Sequence, residues 1–361
     1  PMARPDLPDM LASPSLPAPT AAAAVPAAIP APVPPASFAL NSRGYQALAQ
    51  GDRAAAIGYF TQSLADDPGQ SLIQRQLGFL HRAAGQNTQA AAAFRAALAM
   101  DGLEPDVRHA LGREVADIED RVDLSSYAIY RAEALSTRDI NLLGASLAQS
   151  QGGVEAAWRP WADGRLAARR ATLYGRLLWG FADDRLDIVG RSAQAGIGVR
   201  ARPVAAVNLV AGIERLIAVG GDARDDWMAR LSYSAGAGYD AAPIEAAWWH
   251  WHVYGDLALI DPGRPDILGA LEGRLGRAVR LAGLGGLVAT PFLGANAAFE
   301  DAFETTTLVE AGPGLWLRYW FNADRFATPR SALDLRLEYR FELAGDSSAG
   351  SGLVLTFALV Y

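Results

Sequence analysis

Residues 333–343 read Leu333-Asp334-Leu335-Arg336-Leu337-Glu338-Tyr339-Arg340-Phe341-Glu342-Leu343. Every odd position is apolar or aromatic and every even position is charged. A β-strand projects successive side chains to opposite faces, so this segment has one greasy face and one fully ionised face. From Gly352 the chain continues in the same rhythm, with Leu353, Leu355, Phe357, Leu359 and Tyr361 on one face.

A strand that closes on an aromatic residue after a ladder of apolar positions resembles the last strand of a bacterial outer-membrane β-barrel. The same alternation runs back through residues 122–361, in segments of about 9–13 residues separated by Gly, Asp and Pro turns. Candidate strands begin near Ile140, Val154, Arg170, Arg191, Asn208, Asp226, Glu245, Ile267, Leu287, Val309, Ala332 and Gly352. The count is even, as in single-chain bacterial barrels. Val122–Ala134 reads as a periplasmic connector or as a further first strand, which leaves about fourteen to sixteen strands open. The expected fold is therefore an all-β transmembrane antiparallel β-barrel of about 12 strands. A soluble sandwich also has one polar face per strand. Its core strands would not normally carry a face as ionised as Asp334, Arg336, Glu338, Arg340 and Glu342.

Facing patterns agree between strands. Trp249, Trp251, Val253, Leu257 and Leu259 alternate with Trp248, His250, His252, Tyr254 and Asp256. Leu315, Leu317, Tyr319 and Phe321 alternate with Trp316, Arg318 and Trp320, and Leu173, Leu177, Trp179 and Phe181 with Tyr174 and Arg176. The charged sets are expected to face the lumen, because an Arg on the lipid face at mid-membrane costs roughly 2–4 kcal/mol. Placing Tyr361 on the periplasmic side makes the connections near 151–153, 183–190, 220–225, 261–265, 301–307 and 345–350 extracellular. Those near 163–169, 202–207, 240–244, 283–286 and 322–330 are then periplasmic.

The apolar share is 51% and mean hydropathy is +0.07. No apolar run approaches the roughly 18–20 residues of a transmembrane helix. If a membrane is crossed, strands must cross it, and only a closed barrel leaves no unpaired backbone in lipid. Cysteine and lysine are both absent, so there is no disulfide framework, thiolate nucleophile or Cys metal site. A net charge of −7 gives no support for nucleic-acid binding. No basic segment followed by an apolar one opens the sequence, and a processed or truncated chain is expected on that ground.

Residues 1–37 are rich in Pro and Ala and lack apolar periodicity, so a disordered linker is expected there. Residues 38–121 carry an internal repeat. Gly44, Gly51, Ala56, Phe60, Leu64 and Asp67 recur as Gly78, Gly85, Ala90, Phe94, Leu98 and Asp101, each 34 positions later. This is the period of tetratricopeptide (TPR) helix pairs. Small residues at 44, 56, 78 and 90 permit close helix approach, Phe60 and Phe94 fill the space between pairs, and Gly51 and Gly85 turn one helix into the next. Two repeats fall short of the three usually needed, and Pro105–Glu119 is expected to add a capping helix. The expected organisation is thus a linker, a short periplasmic α-helical TPR domain and a barrel over residues 122–361.

The inferred inner wall bears both signs of charge. Arg159, Arg176, Arg200, Arg230, Arg274, Arg318, Arg336 and Arg340 stand against Glu155, Glu214, Asp226, Asp256, Glu272, Asp334, Glu338 and Glu342. Tyr174, Trp248, Tyr254, Trp316 and Trp320 are interleaved. Aromatic faces stack on sugar rings and charged groups hydrogen-bond sugar hydroxyls. The candidate lumen-binding residues are Tyr174, Arg176, Trp248, Tyr254, Asp256, Trp316, Arg318, Trp320, Arg336, Glu338 and Arg340. Two readings stay open: a glycan path, or opposite charges that neutralise one another and close a narrow barrel. No catalytic residues are expected, because Arg336 and Arg340 flank Glu338 and Glu342 and would hold both ionised. His250 and His252 share a face but lack a visible third ligand, so no metal and no cofactor are expected.

A TPR segment followed by an outer-membrane barrel resembles the exopolysaccharide-export outer-membrane proteins. The stretch Gly221–Ser234, with Arg224-Asp225-Asp226-Trp227 before a strand, is similar to the barrel domain of the NfrA family, named for adsorption of a bacteriophage; Tyr254-Gly255-Asp256 also fits it. The resemblance covers roughly Val122–Tyr361. It implies a periplasmic TPR scaffold that guides a polysaccharide from an inner-membrane glycosyltransferase or synthase complex into the pore. The partners implied are outer-membrane lipid, that polysaccharide and that synthase, with no nucleic acid. The alternative it implies is a plugged anchor or surface phage receptor without transport.

Overall fold

The computed structural model describes residues 36–132, 150–182, 187–204, 206–238, 245–301, 305–323, 329–346 and 350–361. The linker expected over residues 1–37 lies almost wholly outside them. Five helices come first: α1 (Ala36–Ala49), α2 (Arg53–Asp66), α3 (Ser71–Ala83), α4 (Asn87–Leu98) and α5 (Pro105–Glu119). They pack as the repeat dictates. A Cβ at Gly44 would lie 2.4 Å from the Phe60 ring, and one at Gly78 would lie 2.4 Å from the Phe94 ring. Only glycine lets each buried phenylalanine lie flat against the preceding helix. Tyr45 and Phe79 then meet these rings edge-on, at 5.1 and 4.9 Å. Gly51 and Gly85 end their helices at φ +79° and +72°, the left-handed cap. The 34-residue phase runs on from Gly44 and Gly78 to Gly112, inside α5. Thus α5 is the first helix of a third repeat. It buries Leu111 and Val115 against the Phe94 cluster, and the next element is a strand instead of a second helix.

The strands are β1 (Val122–Arg131), β2 (Gln151–Trp158), β3 (Thr172–Phe181), β4 (Ile188–Ala201), β5 (Leu209–Ala218) and β6 (Trp227–Ala237). They continue as β7 (Ala247–Ile260), β8 (Asp266–Arg280), β9 (Leu287–Asp301), β10 (Thr305–Ala323), β11 (Pro329–Gly345) and β12 (Gly352–Val360); a short helix, α6 (Arg165–Ala168), joins β2 to β3. Each strand pairs antiparallel with its sequence neighbours. β1 pairs with β12, from Ser125 opposite Val360 to Arg131 opposite Val354, and this closes the barrel at twelve strands.

Closure decides one open expectation and corrects another. Of the two readings of Val122–Ala134 the strand holds, since Val122–Arg131 is a full strand and not a connector. Its outward positions include the small Ser126 and Ala128 while Tyr127 and Ile129 point inward, so the usual greasy outer ladder is muted. Gln151–Gly153 is not a loop either, since it opens β2 and pairs with Ile129, Ala128 and Tyr127. The candidate strand near Ile140 lies outside the described residues.

The outer face is apolar all round. Leu173, Leu177, Leu257, Leu271, Leu293, Leu335, Leu337 and Leu355 are exposed on it, with Trp158, Trp249, Trp251 and Tyr319 toward the end where the helices lie, and Trp227, Tyr339 and Phe341 toward the far end. An exposed apolar band with aromatic girdles suits lipid, and closure leaves no strand edge. This is a bacterial outer-membrane β-barrel with its helical region outside the barrel. Some charges break the rule that all face the lumen. Arg215 and Arg277 are on the outer face, as are Arg191 and Asp301 at the far ends of β4 and β9. Arg215 lies over Trp227 and pairs with Asp225 at 2.5 Å, and Arg277 lies over Trp249 and donates to the Ala247 carbonyl at 3.3 Å. Arg215 and Arg277 sit in the aromatic girdles, where the cost of a charge falls.

Candidate functional site: the barrel interior and its helical mouth

The inner face of β11 forms a ladder of ion pairs with its neighbours. Nearest the helices, Arg318 grips Asp334 with two bonds of 2.6 and 2.7 Å, and its guanidinium lies 4.3 Å from the Trp316 ring and 4.9 Å from the Trp320 ring. Farther along, Glu338 receives Arg340 at 3.1 Å, Arg336 at 3.5 Å and Arg274 at 3.8 Å. Arg274 also meets Glu272 at 2.5 Å, and Glu272 lies 3.5 Å from His252. At the far end Arg340 stands 3.7 Å from Glu310, which pairs directly with Arg131. Arg131 and Glu310 are 0% exposed, so this layer is solvent-free. Each charge is repaid by a partner in low dielectric, and removing one member would strand the other.

The opposite wall is looser. Arg176 donates to Glu214 at 2.6 Å, and Tyr174 donates to the same carboxylate at 2.8 Å. Arg230 pairs with Asp256 at 2.7 Å, Ser232 donates to Asp256 at 2.6 Å, and Arg200 pairs with Glu155 at 2.7 Å. Between them lies a cavity of about 240 Å³ lined by Glu155, Tyr174, Arg176, Arg200, Arg230 and Tyr254, among others. Two glycines make the room: a Cβ at Gly196 would overlap Glu214, and one at Gly198 would lie 2.7 Å from Tyr174.

All eleven candidate lumen residues lie on the inner face of the barrel. They fall into three groups. Tyr174, Arg176, Tyr254 and Asp256 surround or back the cavity. Trp248 packs with Ala278, Val288 and Trp320, and His250 meets Trp316 edge-on at 5.1 Å, so the Trp side of the mouth is filled. Arg318, Arg336, Glu338 and Arg340 belong to the ladder. Two residues assigned to the inner wall lie elsewhere. Arg159 is beyond β2 and pairs with Asp123 and Asp117, and Asp226 lies in the connection before β6, backbone-bonded to Leu216. Arg131 and Glu310 were not foreseen. Glu310 shares the parity of Trp316 and Arg318 and was legible, whereas Arg131 sits on the strand with the muted pattern.

The mouth is where the helices are bolted on. Asp117 of α5 collects Arg82 from α3, Arg170 from the β2–β3 connection, and Arg159 at 3.5 Å. Burial pushes the Asp117 carboxyl up, but Arg170, Arg82 and Arg159 together outweigh it and hold it below its ordinary value. For Glu114 beside it, burial outweighs Arg82 and raises the value. Asp163 caps α4 from outside the repeat: it accepts from Thr88 N at 2.9 Å and Thr88 Oγ1 at 2.6 Å, and these bonds hold its carboxyl below the usual range. Gly164 N donates to the Gly85 carbonyl at 2.8 Å, Arg330 pairs with Asp120 at 2.6 Å, and Arg113 donates to the Pro329 carbonyl at 2.9 Å. Arg113 also lies 5.9 Å over the lumenal Trp320.

A closed barrel with a paired, two-signed interior and a helical module fixed to one mouth defines an outer-membrane protein of the repeat-plus-barrel class. Residues 186–357 match the family described as bacteriophage N adsorption protein A C-term. The matched stretch runs from just before β4 into β12 and makes up the larger part of the twelve-strand barrel, so the chain is similar to that family over this part of its length. No protein of curated function matches the chain. Among solved structures it is similar to an outer membrane channel from Pseudomonas putida F1, at 12% identity and TM-score 0.33 over 66% of this chain and 93% of that one. The beta domain of the Bordetella autotransporter BrkA matches at 17% identity and TM-score 0.32, over 67% of this chain and 99% of that one. A bacterial polysaccharide outer membrane secretin matches at 8% identity and TM-score 0.32, over 67% and 98%. Likeness at this level speaks to neither ligand nor mechanism.

Proposed function

We propose that this protein is the outer-membrane component of an exopolysaccharide-export assembly, that it acts without catalysing a reaction, and that the conformation described is the closed state of its barrel. The helical end faces the periplasm in this reading. The repeats receive the glycan or recruit a protein of the synthase complex, and the polysaccharide enters past Arg113 and Trp320. The observation that carries it is the joint at the mouth, where the third repeat helix lays Arg113 over a lumenal tryptophan. Rings and guanidinium planes in series offer a sugar chain many weak stacking contacts. Passage requires the Arg131–Glu310–Arg340 layer to part, and hydrated charges on a glycan can exchange with such pairs where a neutral wall could not.

A second reading is favoured by the same layer: a permanently plugged anchor or surface receptor that holds the repeats at the membrane. Planar-bilayer recordings separate the two. Export predicts rare conductance steps that become frequent when Glu310→Gln and Arg131→Gln are combined, and a plugged anchor predicts none in either protein. In cells, Trp248→Ala, Trp316→Ala and Trp320→Ala together should stop secretion while heat-modifiable gel migration confirms a folded barrel. Normal secretion by that variant would sink the lumen assignment.

A further inference from the structure

The cavity between β2 and β7 has a chemistry more selective than a general sugar path. Its carboxylates are already taken. Glu214 accepts from both Arg176 and Tyr174, Asp256 from Arg230 and Ser232, and Glu155 from Arg200. Its donors are not all used. Arg176, with a side chain only 7% exposed, engages Glu214 through Nε while its buried Nη2 has no partner among the described residues. An unpaired buried guanidinium donor is costly, and an incoming acceptor relieves that cost. A ring is at hand as well: Tyr174 lines the cavity, with Arg200 stacked 4.7 Å from its centroid. Access is graded toward the helical mouth. Arg200 and Glu155 are 35% and 23% exposed at the rim, whereas Glu214 at the back is 1% exposed.

We infer that this cavity is a binding site for a sugar unit bearing a carboxylate, such as a uronic acid residue of the exported chain. The tyrosine and stacked arginine take the ring, and Arg176 with Arg200 takes the carboxylate. A carboxylate is acceptor-only, which complements a pocket whose own carboxylates are each already paired with an arginine. The inference rests on the export reading and names the glycan class.

The test is calorimetric titration of the full chain, refolded in detergent, with three probes: glucuronate, glucose and acetate. Glucuronate is expected to bind about tenfold or more tightly than either of the others, since a charge-assisted arginine contact is lost with glucose and the ring contact with acetate. Arg200→Gln, at the exposed rim, should cost about tenfold in glucuronate affinity. Arg176→Gln combined with Glu214→Gln, which leaves no buried charge stranded, should cost at least as much. Equal binding of glucose and glucuronate overturns the acidic-sugar class and leaves export standing. Equal binding of acetate and glucuronate overturns the sugar half. No binding of any probe overturns the site, while export itself is judged separately by the bilayer recordings.

Discussion

At the residue scale, two kinds of glycine set the geometry. In the repeats, Gly78 gives way to a Phe94 ring that is 0% exposed and has no room to retreat. Gly78→Ala should therefore overpack the helical module by about 1–3 kcal/mol. Thermal unfolding followed by far-ultraviolet circular dichroism should show the helical transition falling roughly 4–8 °C for each kcal/mol lost. An unchanged transition would mean the ring is not held as described. In the barrel, Gly198 leaves space for Tyr174 under the Ile213 carbonyl, so Gly198→Ala should close the cavity while sparing the ladder on the other wall. The first glycine was legible in the sequence because it recurs with its phenylalanine at a fixed spacing. The second was not, because a Gly-Ile-Gly run in a strand looks the same whether it admits a ring or merely flexes. Asp163 was equally hidden: it caps α4 across 75 residues, and no local pattern marks a cap supplied from so far away.

At the element scale, the alternation of β11 decides which face meets lipid. Leu335 is exposed on the outer face and Arg336 sits inward, 3.5 Å from Glu338. Leu335→Arg should destabilise the barrel by about 2–4 kcal/mol if it lies at mid-membrane. Arg336→Leu should cost less, because Arg340 and Arg274 still neutralise Glu338. Urea unfolding in lipid vesicles orders the two, and the reverse order would exchange the faces. Eleven of the strands were legible because their greasy faces repeat every second residue and meet Gly, Asp or Pro turns. β1 was legible only as one of two alternatives, for a packing reason. Its inward Tyr127 and Ile129 invert the usual contrast, and it follows α5 after only Asp120 and Arg121, with no turn signal between. The charged inner face was equally readable, but its pairing was not. Alternation places Glu310 and Arg340 on the same wall, and only the barrel's curvature brings Arg131 to them from across the closure.

At the scale of the whole molecule, the helical module and the barrel are joined by few residues in sequence and many charges in space, so the joint should be responsive to pH. Asp117 and Asp163 both titrate below their ordinary value. A carboxyl depressed in the docked state stabilises docking at pH values above its free pKa, and that contribution disappears as pH falls through the depressed value. Glu114, raised by burial, works in the opposite sense: its ionisation opposes docking near neutrality, and protonation removes that cost. Acidification through the usual carboxylate range should therefore leave the joint intact or slightly firmer, and release should begin only below about pH 4. Asp117→Asn removes the shared partner of Arg82, Arg170 and Arg159, and should weaken docking by about 1.5–3 kcal/mol at neutral pH. Because the chain contains no cysteine, two introduced cysteines, one on α3 and one on the exposed end of β6, take spin labels cleanly. Their distance distribution by double electron–electron resonance should stay narrow from neutral pH down to about pH 4 and broaden below it. The Asp117→Asn protein should already be broad at neutral pH. Identical narrow distributions for both proteins throughout would mean that Arg330–Asp120 and the Gly164–Gly85 backbone bond hold the mouth by themselves, and that the arginine cluster around Asp117 adds nothing to the joint.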